Sequence, residues 1–159
     1  MKKTMLALCF MAMALTTVAN EQSAVEGEVR VTAEVIQKLD VKTDPVNFGK
    51  VAQGSKNNTP IEKGTVTITG HENEKLKIQF ASGTQKEWKD NLSQVKVELS
   101  KGAEETKLTY LPNLDPELVQ PLALENGKKV LGLSGTLEVP ENATPGQYEG
   151  TLNVKVWYE

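Results

Sequence analysis

The 159-residue sequence predicts an all-β fold of the sandwich class. Short segments in which apolar and polar residues alternate recur about every ten residues, and turn-forming residues cluster between them, as is typical of β-sandwiches. No stretch shows the period of about 3.6 residues that marks an amphipathic helix. About seven or eight such strands favour an immunoglobulin-like sandwich, and a jelly roll would give a similar pattern.

Residues 1–19 have the composition of a secretory signal peptide. Two lysines near the start precede an uncharged apolar run at residues 5–15, and Ala19 is the small residue expected before the cleavage site. The apolar run is too short to span a bilayer, so no retained membrane anchor is expected. Lipidation at Cys9 is disfavoured, because almost no apolar segment precedes that cysteine.

Removal of the signal would leave 140 of the 159 residues, enough for one domain with its own core. The net charge would change from −3 to −5, which argues against nucleic acid and against an anionic membrane surface as partners. Cys9, the sole cysteine, leaves with the signal. The exported domain therefore has no disulfide, and its stability depends on core burial, strand pairing or a partner.

The segment that follows the signal predicts a strand near the mature N terminus. In residues 25–35 one face of the alternation is small or β-branched, and the other is polar or charged. Such an apolar face suits a strand that lies in a narrow apolar groove. It consists of Val25, Gly27, Val29, Val31, Ala33 and Val35.

The middle of the chain predicts short strands joined by turns. Residues 39–48 continue as extended chain, and Pro45 breaks them in a way that belongs at a sheet edge. Residues 64–69 and 76–81 predict a β-hairpin, because only six residues separate two alternating segments.

Later strands are expected at residues 95–99, 106–111 and 129–139. Glycines at 132 and 135 predict bends or bulges within the last of these. An irregular crossing segment is expected where prolines accumulate, at Pro112, Pro116 and Pro121.

The last fourteen residues contain the longest alternating segment, which predicts a strand with one buried and one wetter face. A strand in this position must pair on both flanks or leave an open edge. Two interpretations remain open: both terminal strands pair inside one sandwich, or the N-terminal strand leaves its own domain and adds to another subunit.

Residues that could carry catalysis or bind a metal are scarce. The single histidine, His71, lies in a predicted charged loop, and no cysteine or glycine-rich phosphate loop is present in the mature chain. Asp40 and Asp44 lack the ligand spacing of a calcium loop. We therefore expect no catalytic residue, no metal, no cofactor and no enzyme activity. No aromatic or charged cluster in the sequence marks a sugar site.

Both ends of the chain resemble the pilin subunits of chaperone–usher fimbriae. Gly146 is the fourteenth residue from the C terminus and Tyr158 is the penultimate one, with alternating apolar residues between them. The valine- and threonine-rich residues 25–35 and the absence of a mature cysteine are similar to the cysteine-free colonisation-factor type. Residues 46–49, Val-Asn-Phe-Gly, form another pilin-like fragment.

The resemblance implies an immunoglobulin-like sandwich that is incomplete in the monomer. A periplasmic chaperone would fill the gap along the C-terminal strand, and the N-terminal strand of an identical neighbouring subunit would replace it at the outer-membrane usher. The donor side chains would be those of the apolar face of residues 25–35. The chaperone and acceptor groove would be formed by Gly146, Tyr148, Leu152, Val154, Val156 and Tyr158.

The expected organisation is a signal peptide at 1–19, a donor-strand extension at 20–36 and a pilin domain at 37–159. The expected product is a structural fimbrial subunit, exported through the periplasm to the cell surface, that supports adhesion and virulence, with a host surface receptor as a further partner. The alternative is a monomeric secreted β-sandwich binding module that its own N-terminal strand closes.

Overall fold

The computed structural model describes residues 25–103, 106–115, 118 and 120–159. It comprises two units, residues 1–34 and 35–159. In the described part of the first unit, residues 25–34, no strand or helix is present. The predicted signal peptide at 1–19 lies outside the described residues.

The second unit is an antiparallel sandwich of two sheets, so the predicted all-β sandwich is confirmed. A five-stranded sheet has the order β1-β2-β7-β5-β4, and a three-stranded sheet has the order β6-β3-β8. The strands are β1 Asp40–Asp44, β2 Gly64–Thr69, β3 Lys75–Ser82, β4 Val97–Leu99, β5 Leu108–Asp115, β6 Leu122–Ala123, β7 Lys128–Glu138 and β8 Leu152–Tyr158. A single 3-10 turn, Leu92–Gln94, is the one helical element among the described residues.

The core lies between the two sheets and follows from the alternation of the strands. In β2 every second residue is buried, and β3 buries Leu76, Ile78 and Phe80 completely. Because successive side chains of a strand point to opposite faces, this pattern gives each sheet one apolar face that must pack against the other sheet.

The predicted hairpin between residues 64–69 and 76–81 is wrong. Both strands exist, but β2 pairs with β1 and β7, whereas β3 pairs with β6 and β8. The connection carries the chain from one sheet to the other, and Asn73 adopts a left-handed φ of 63° within it. Each strand buries its apolar face in the core between the two sheets, so the alternation alone could not show that they belong to different sheets.

The predicted irregular segment at Pro112 is also wrong, because β5 continues through Pro112 to Asp115. β4 pairs with β5 only as far as Tyr110, so the proline interrupts no ladder on that flank. On the other flank Pro112 lies opposite Gly135, whose φ is +127°. A Cβ on Gly135 would collide with the Leu111 carbonyl oxygen and lie 2.9 Å from Pro112 Cα, so the close approach requires glycine.

The other predicted strands are present with shifted ends, including the chain-terminal one as β8. Residues 25–35, where alternation predicts a strand, form no strand with any described residue. Within the part of the chain that the structure describes, no helix has the length and apolar character needed to cross a membrane.

Candidate functional site

The last strand, β8, is paired on one flank only. Its full length pairs with β3, from Leu152 opposite Ser82 to Tyr158 opposite Leu76. No other described strand pairs with it, so it is an edge of the three-stranded sheet. Its unpaired backbone groups could accept a further strand.

Just before β8, the chain contacts the other sheet. Glu149 and Ser100 exchange two backbone hydrogen bonds, of 2.9 and 3.0 Å, next to the end of β4. Gly150 allows this approach, because a Cβ there would lie 2.8 Å from the Glu98 carbonyl oxygen. The C-terminal segment therefore passes from the five-stranded sheet to the three-stranded sheet within a few residues.

A groove of about 560 Å³ lies beside β8. One wall is formed by Tyr148 to Leu152 and by Val154, and the opposite wall by the end of β1 and the residues after it, Thr43 to Val46. The apolar floor comes from the five-stranded sheet and from the 45–60 loop: Phe48, Val66, Val97, Leu99, Tyr110 and Leu133.

The groove follows from the unequal size of the two sheets. Five strands face three, and β8 is the last strand on its side, so part of the apolar face of the larger sheet has no strand above it. Leu152 and Val154 pack against the core yet remain only half-buried. Because exposed apolar surface is costly in water, an occupant that covered this groove would stabilise the domain.

Two aromatic residues shape the floor. The rings of Phe48 and Tyr110 meet edge to face, with centroids 5.3 Å apart. The Tyr110 hydroxyl donates a hydrogen bond of 2.5 Å to the Ser134 carbonyl oxygen. Burial raises the pKa of Tyr110 to about 12, so this hydroxyl is a neutral donor at physiological pH.

The predicted acceptor residues divide into two groups. Tyr148, Leu152 and Val154 line the groove. Val156 and Tyr158 lie farther along β8, where they pack against the core opposite Ile78 and Leu76 and do not line the groove.

Gly146 and Tyr148 belong to the loop that leads into β8. Gly146 lies against the side chain of Lys101, whose Nζ donates a 3.0 Å hydrogen bond to the Pro145 carbonyl oxygen. The Tyr148 hydroxyl donates a 3.0 Å hydrogen bond to the carbonyl oxygen of Thr144, which fixes the ring at the mouth of the groove.

The predicted donor residues are exposed in the described chain. Val25, Val29, Val31 and Val35 are 94%, 85%, 87% and 93% exposed. Gly27 and Ala33, on the same predicted face, are exposed as well. Single exposed apolar residues are ordinary on protein surfaces, but four valines among the alternate positions of one short segment are unusual.

Sequence reasoning missed the floor of the groove. Val66, Tyr110 and Leu133 come from β2, β5 and β7, and their periodicity marks them only as buried. They line the groove only because no strand of the smaller sheet lies over them, and the order of the strands in the sheets decides that. Phe48 alone had a signal, since it lies in the pilin-like fragment 46–49.

His71 contacts the last residue of β8 through its backbone. Among the described residues, no group of three or more histidine, cysteine, aspartate or glutamate side chains is placed to hold a metal ion. The His71 backbone N–H donates to the Tyr158 hydroxyl at 2.8 Å, so its observed contact is structural.

The chain matches one family model over residues 13–158, described as a domain of unknown function, DUF4402. No curated protein matches the sequence.

Proposed function

Since the chain belongs to the DUF4402 family, whose description gives no function, we propose a function from the groove: the protein is a structural subunit of a chaperone–usher fimbrium. It is exported to the periplasm and polymerises on the bacterial surface by donor-strand complementation. The observation that carries this proposal is the unpaired flank of β8 beside a groove with an apolar floor.

The groove has the features that an added strand needs. A strand beside β8 would form main-chain hydrogen bonds with the open edge, and its alternate side chains would enter the groove. On its far side it would lie next to Thr43 to Val46, which form the opposite wall. Such a strand would bring the smaller sheet from three strands to four.

Residues 25–35 have the matching donor pattern. Burial of a valine contributes roughly 1.5–3 kcal/mol, so the four valines together could contribute roughly 6–12 kcal/mol before the entropy cost of ordering. β-Branched side chains lose little rotamer freedom in an extended strand, which reduces that cost. A linked subunit should therefore be far more stable than a separate one.

Each partner has a distinct role in this proposal. The periplasmic chaperone pairs with β8 and covers the groove until the usher brings in the next subunit, whose residues 25–35 then replace the chaperone. Identical neighbouring subunits form the shaft, and a host surface receptor is the partner through which the fibre adheres. No step requires catalysis by this chain.

The test is a single carboxylate placed on either face of the donor segment. Val31→Asp puts a charge on the apolar face, which would have to be desolvated in the groove. Thr32→Asp adds the same charge one residue later, on the polar face. We expect the first variant to be captured by the chaperone but not linked, and the second to form ladders on gels run without boiling.

Linkage by the Val31→Asp variant would contradict the proposal, as would a wild-type chain that stays monomeric at every concentration in size-exclusion chromatography. The monomeric result would favour the alternative, a secreted binding module closed by its own N-terminal strand.

A further inference from the structure

Three side chains form a cluster on the outer face of the three-stranded sheet, away from the groove. Lys155 and Trp157 alternate in β8 with the core-packed Val154 and Val156, so they project from the opposite face. The Lys155 ammonium lies 4.8 Å from the ring centroid of Trp88 and 5.0 Å from that of Trp157. Trp88 is distant in the sequence from Lys155 and Trp157, so no local pattern marks this aromatic and charged cluster.

Trp88 reaches the sheet because its loop is fixed at both ends. Next to it, Lys89 exchanges backbone hydrogen bonds of 2.8 and 2.9 Å with Phe80 of β3. At the start of the loop, the Gly83 carbonyl accepts a 2.7 Å hydrogen bond from the Asn153 side-chain amide of β8. The Trp88 loop is therefore fastened to the sheet that carries Lys155 and Trp157 by contacts within the chain.

The contacts of the Lys155 ammonium differ from those of the neighbouring lysines. On the same face Lys77 pairs with Glu159 at 3.2 Å, and in the loop Lys89 pairs with Glu87 at 3.5 Å. Among the described residues, no carboxylate lies within 4 Å of the Lys155 ammonium, which contacts aromatic faces instead. Exposed cation–π contacts are weak, so this ammonium can turn toward an incoming anion at little cost.

We propose that Trp88, Lys155 and Trp157 bind an acidic saccharide, a sugar ring that carries a carboxylate. The carboxylate accepts a charge-assisted hydrogen bond from Lys155. The ring stacks its C–H face on an indole, because the negative face of an aromatic ring attracts weakly positive C–H groups. Gln79, which lies opposite Lys155 in β3, offers its amide oxygen to a hydroxyl, since its Nε2 donates to Asp90 at 2.9 Å.

Several features favour a saccharide over an apolar ligand. The cluster lies on a sheet face, and the polar side chains of Gln79 and Asn153 share that face with Lys155. Apolar ligands need an enclosing cavity. The C–H face of a sugar ring instead needs an aromatic face to stack on, with polar groups beside it for its hydroxyls. The cation then selects acidic sugars over neutral ones.

The chain has two tryptophans, and both belong to this cluster, so fluorescence excited selectively in tryptophan rather than tyrosine reports on it. We would titrate the protein, purified from cells that express the full chain, with 3′-sialyllactose, with lactose and with a glucuronate-containing disaccharide. We expect a saturable fluorescence change with one or both acidic sugars and at least tenfold weaker binding of lactose. The two acidic probes distinguish a sialic acid from a uronic acid as the source of the carboxylate.

Three variants separate ligand binding from a purely structural role. Lys155→Gln should lower the affinity for the acidic sugar at least tenfold. Lys155→Arg keeps the cation, so its affinity should be within a few fold of that of the wild type. Lys128→Gln, an exposed lysine of β7 on the other sheet, removes the same charge elsewhere and should have no effect.

The inference is overturned if neither acidic sugar changes the fluorescence, if lactose binds equally well, or if Lys155→Gln binds like wild type. Circular dichroism of each variant checks the fold. A fall in thermal midpoint in Lys155→Gln, with no sugar response in wild type, would mean that the cluster only fastens the Trp88 loop. The test does not depend on whether the chain polymerises.

Discussion

The Tyr158 hydroxyl donates a 2.6 Å hydrogen bond to the backbone carbonyl of Gln37. The same hydroxyl accepts a 2.8 Å hydrogen bond from the His71 backbone N–H. The end of β8 is thereby joined both to the residues that lead into β1 and to the connection between β2 and β3. Next to it, Gly70 leaves no room for a side chain, since a Cβ there would lie 2.5 Å from the Tyr158 hydroxyl oxygen.

Tyr158→Phe removes both hydrogen bonds and keeps the ring. The net loss should be about 1–2 kcal/mol of unfolding free energy, because one hydrogen bond contributes about 1 kcal/mol and the His71 N–H is left without its partner. Urea denaturation followed by circular dichroism measures it. Tyr148→Phe is the matched control: its hydroxyl contacts the carbonyl and the hydroxyl of the exposed Thr144, so no partly buried N–H loses its partner and the change should cost less. Equal losses in the two variants would contradict the anchoring role of Tyr158.

Val154→Asp should abolish both chaperone capture and subunit linkage. Val154 lines the groove, and a carboxylate there would lose its hydration when any strand covered it. Asn153→Asp adds the same charge on the opposite face of β8 and loses the amide hydrogen bonds to the Ala81 and Gly83 carbonyls, which lie outside the groove, so it should be captured and linked. Co-purification with the chaperone and ladders on unboiled gels provide the measurements. Linkage by the Val154→Asp variant would show that strands enter elsewhere.

Stability should fall at alkaline pH through Tyr110. Burial raises its folded-state pKa from 10 to about 12, so the phenol is protonated in both states at neutral pH. Above pH 10 the unfolded chain releases this proton while the folded chain keeps it. The contribution of Tyr110 to the free energy of unfolding is therefore lost as the pH rises towards 12.

The pH effect can be isolated by comparison with Tyr110→Phe, which has no group to titrate. The difference in urea midpoint between wild type and variant should be constant from pH 7 to 9 and shrink above pH 10. A difference that grew with pH would contradict the sign derived from the raised pKa.

Gly135→Ala should destabilise the domain strongly. Its φ of +127° is unfavourable for any side chain, and the added methyl would also meet the backbone of Leu111 and Pro112. Together these effects should cost at least about 1–3 kcal/mol. Gly102→Ala is the control: it has a left-handed φ of +60° but no heavy atom within 4 Å of the added Cβ, so it should cost less. A smaller loss at Gly135 than at Gly102 would contradict the close approach.

Local pattern was sufficient to predict β8, because its alternation encodes a buried and a wetter face regardless of the partner. The same pattern failed for residues 64–69 and 76–81, since the period of a strand does not reveal which neighbour it pairs with. β5 continues through Pro112 because Gly135, which lies opposite on β7, has no side chain to obstruct the close approach.

The site was predictable in the same uneven way. Tyr148, Leu152 and Val154 follow from sequence, whereas the floor depends on strands distant in the chain. The Trp88 cluster could not be predicted either. In the sequence 66 residues lie between Trp88 and Lys155, and the two come together only because the loop at 83–91 is fastened to the sheet.

The hydrogen bond between Tyr158 and Gln37 has a mechanical consequence for a fibre of the proposed kind. Tension would enter each molecule along β8, where the borrowed strand lies, and leave through the backbone just ahead of β1. The tyrosine hydroxyl ties these two points together, so part of the load could bypass the β1–β2 ladder that would otherwise shear. Loss of one oxygen atom would then lower the force at which the fibre elongates, even where its assembly proceeds unchanged.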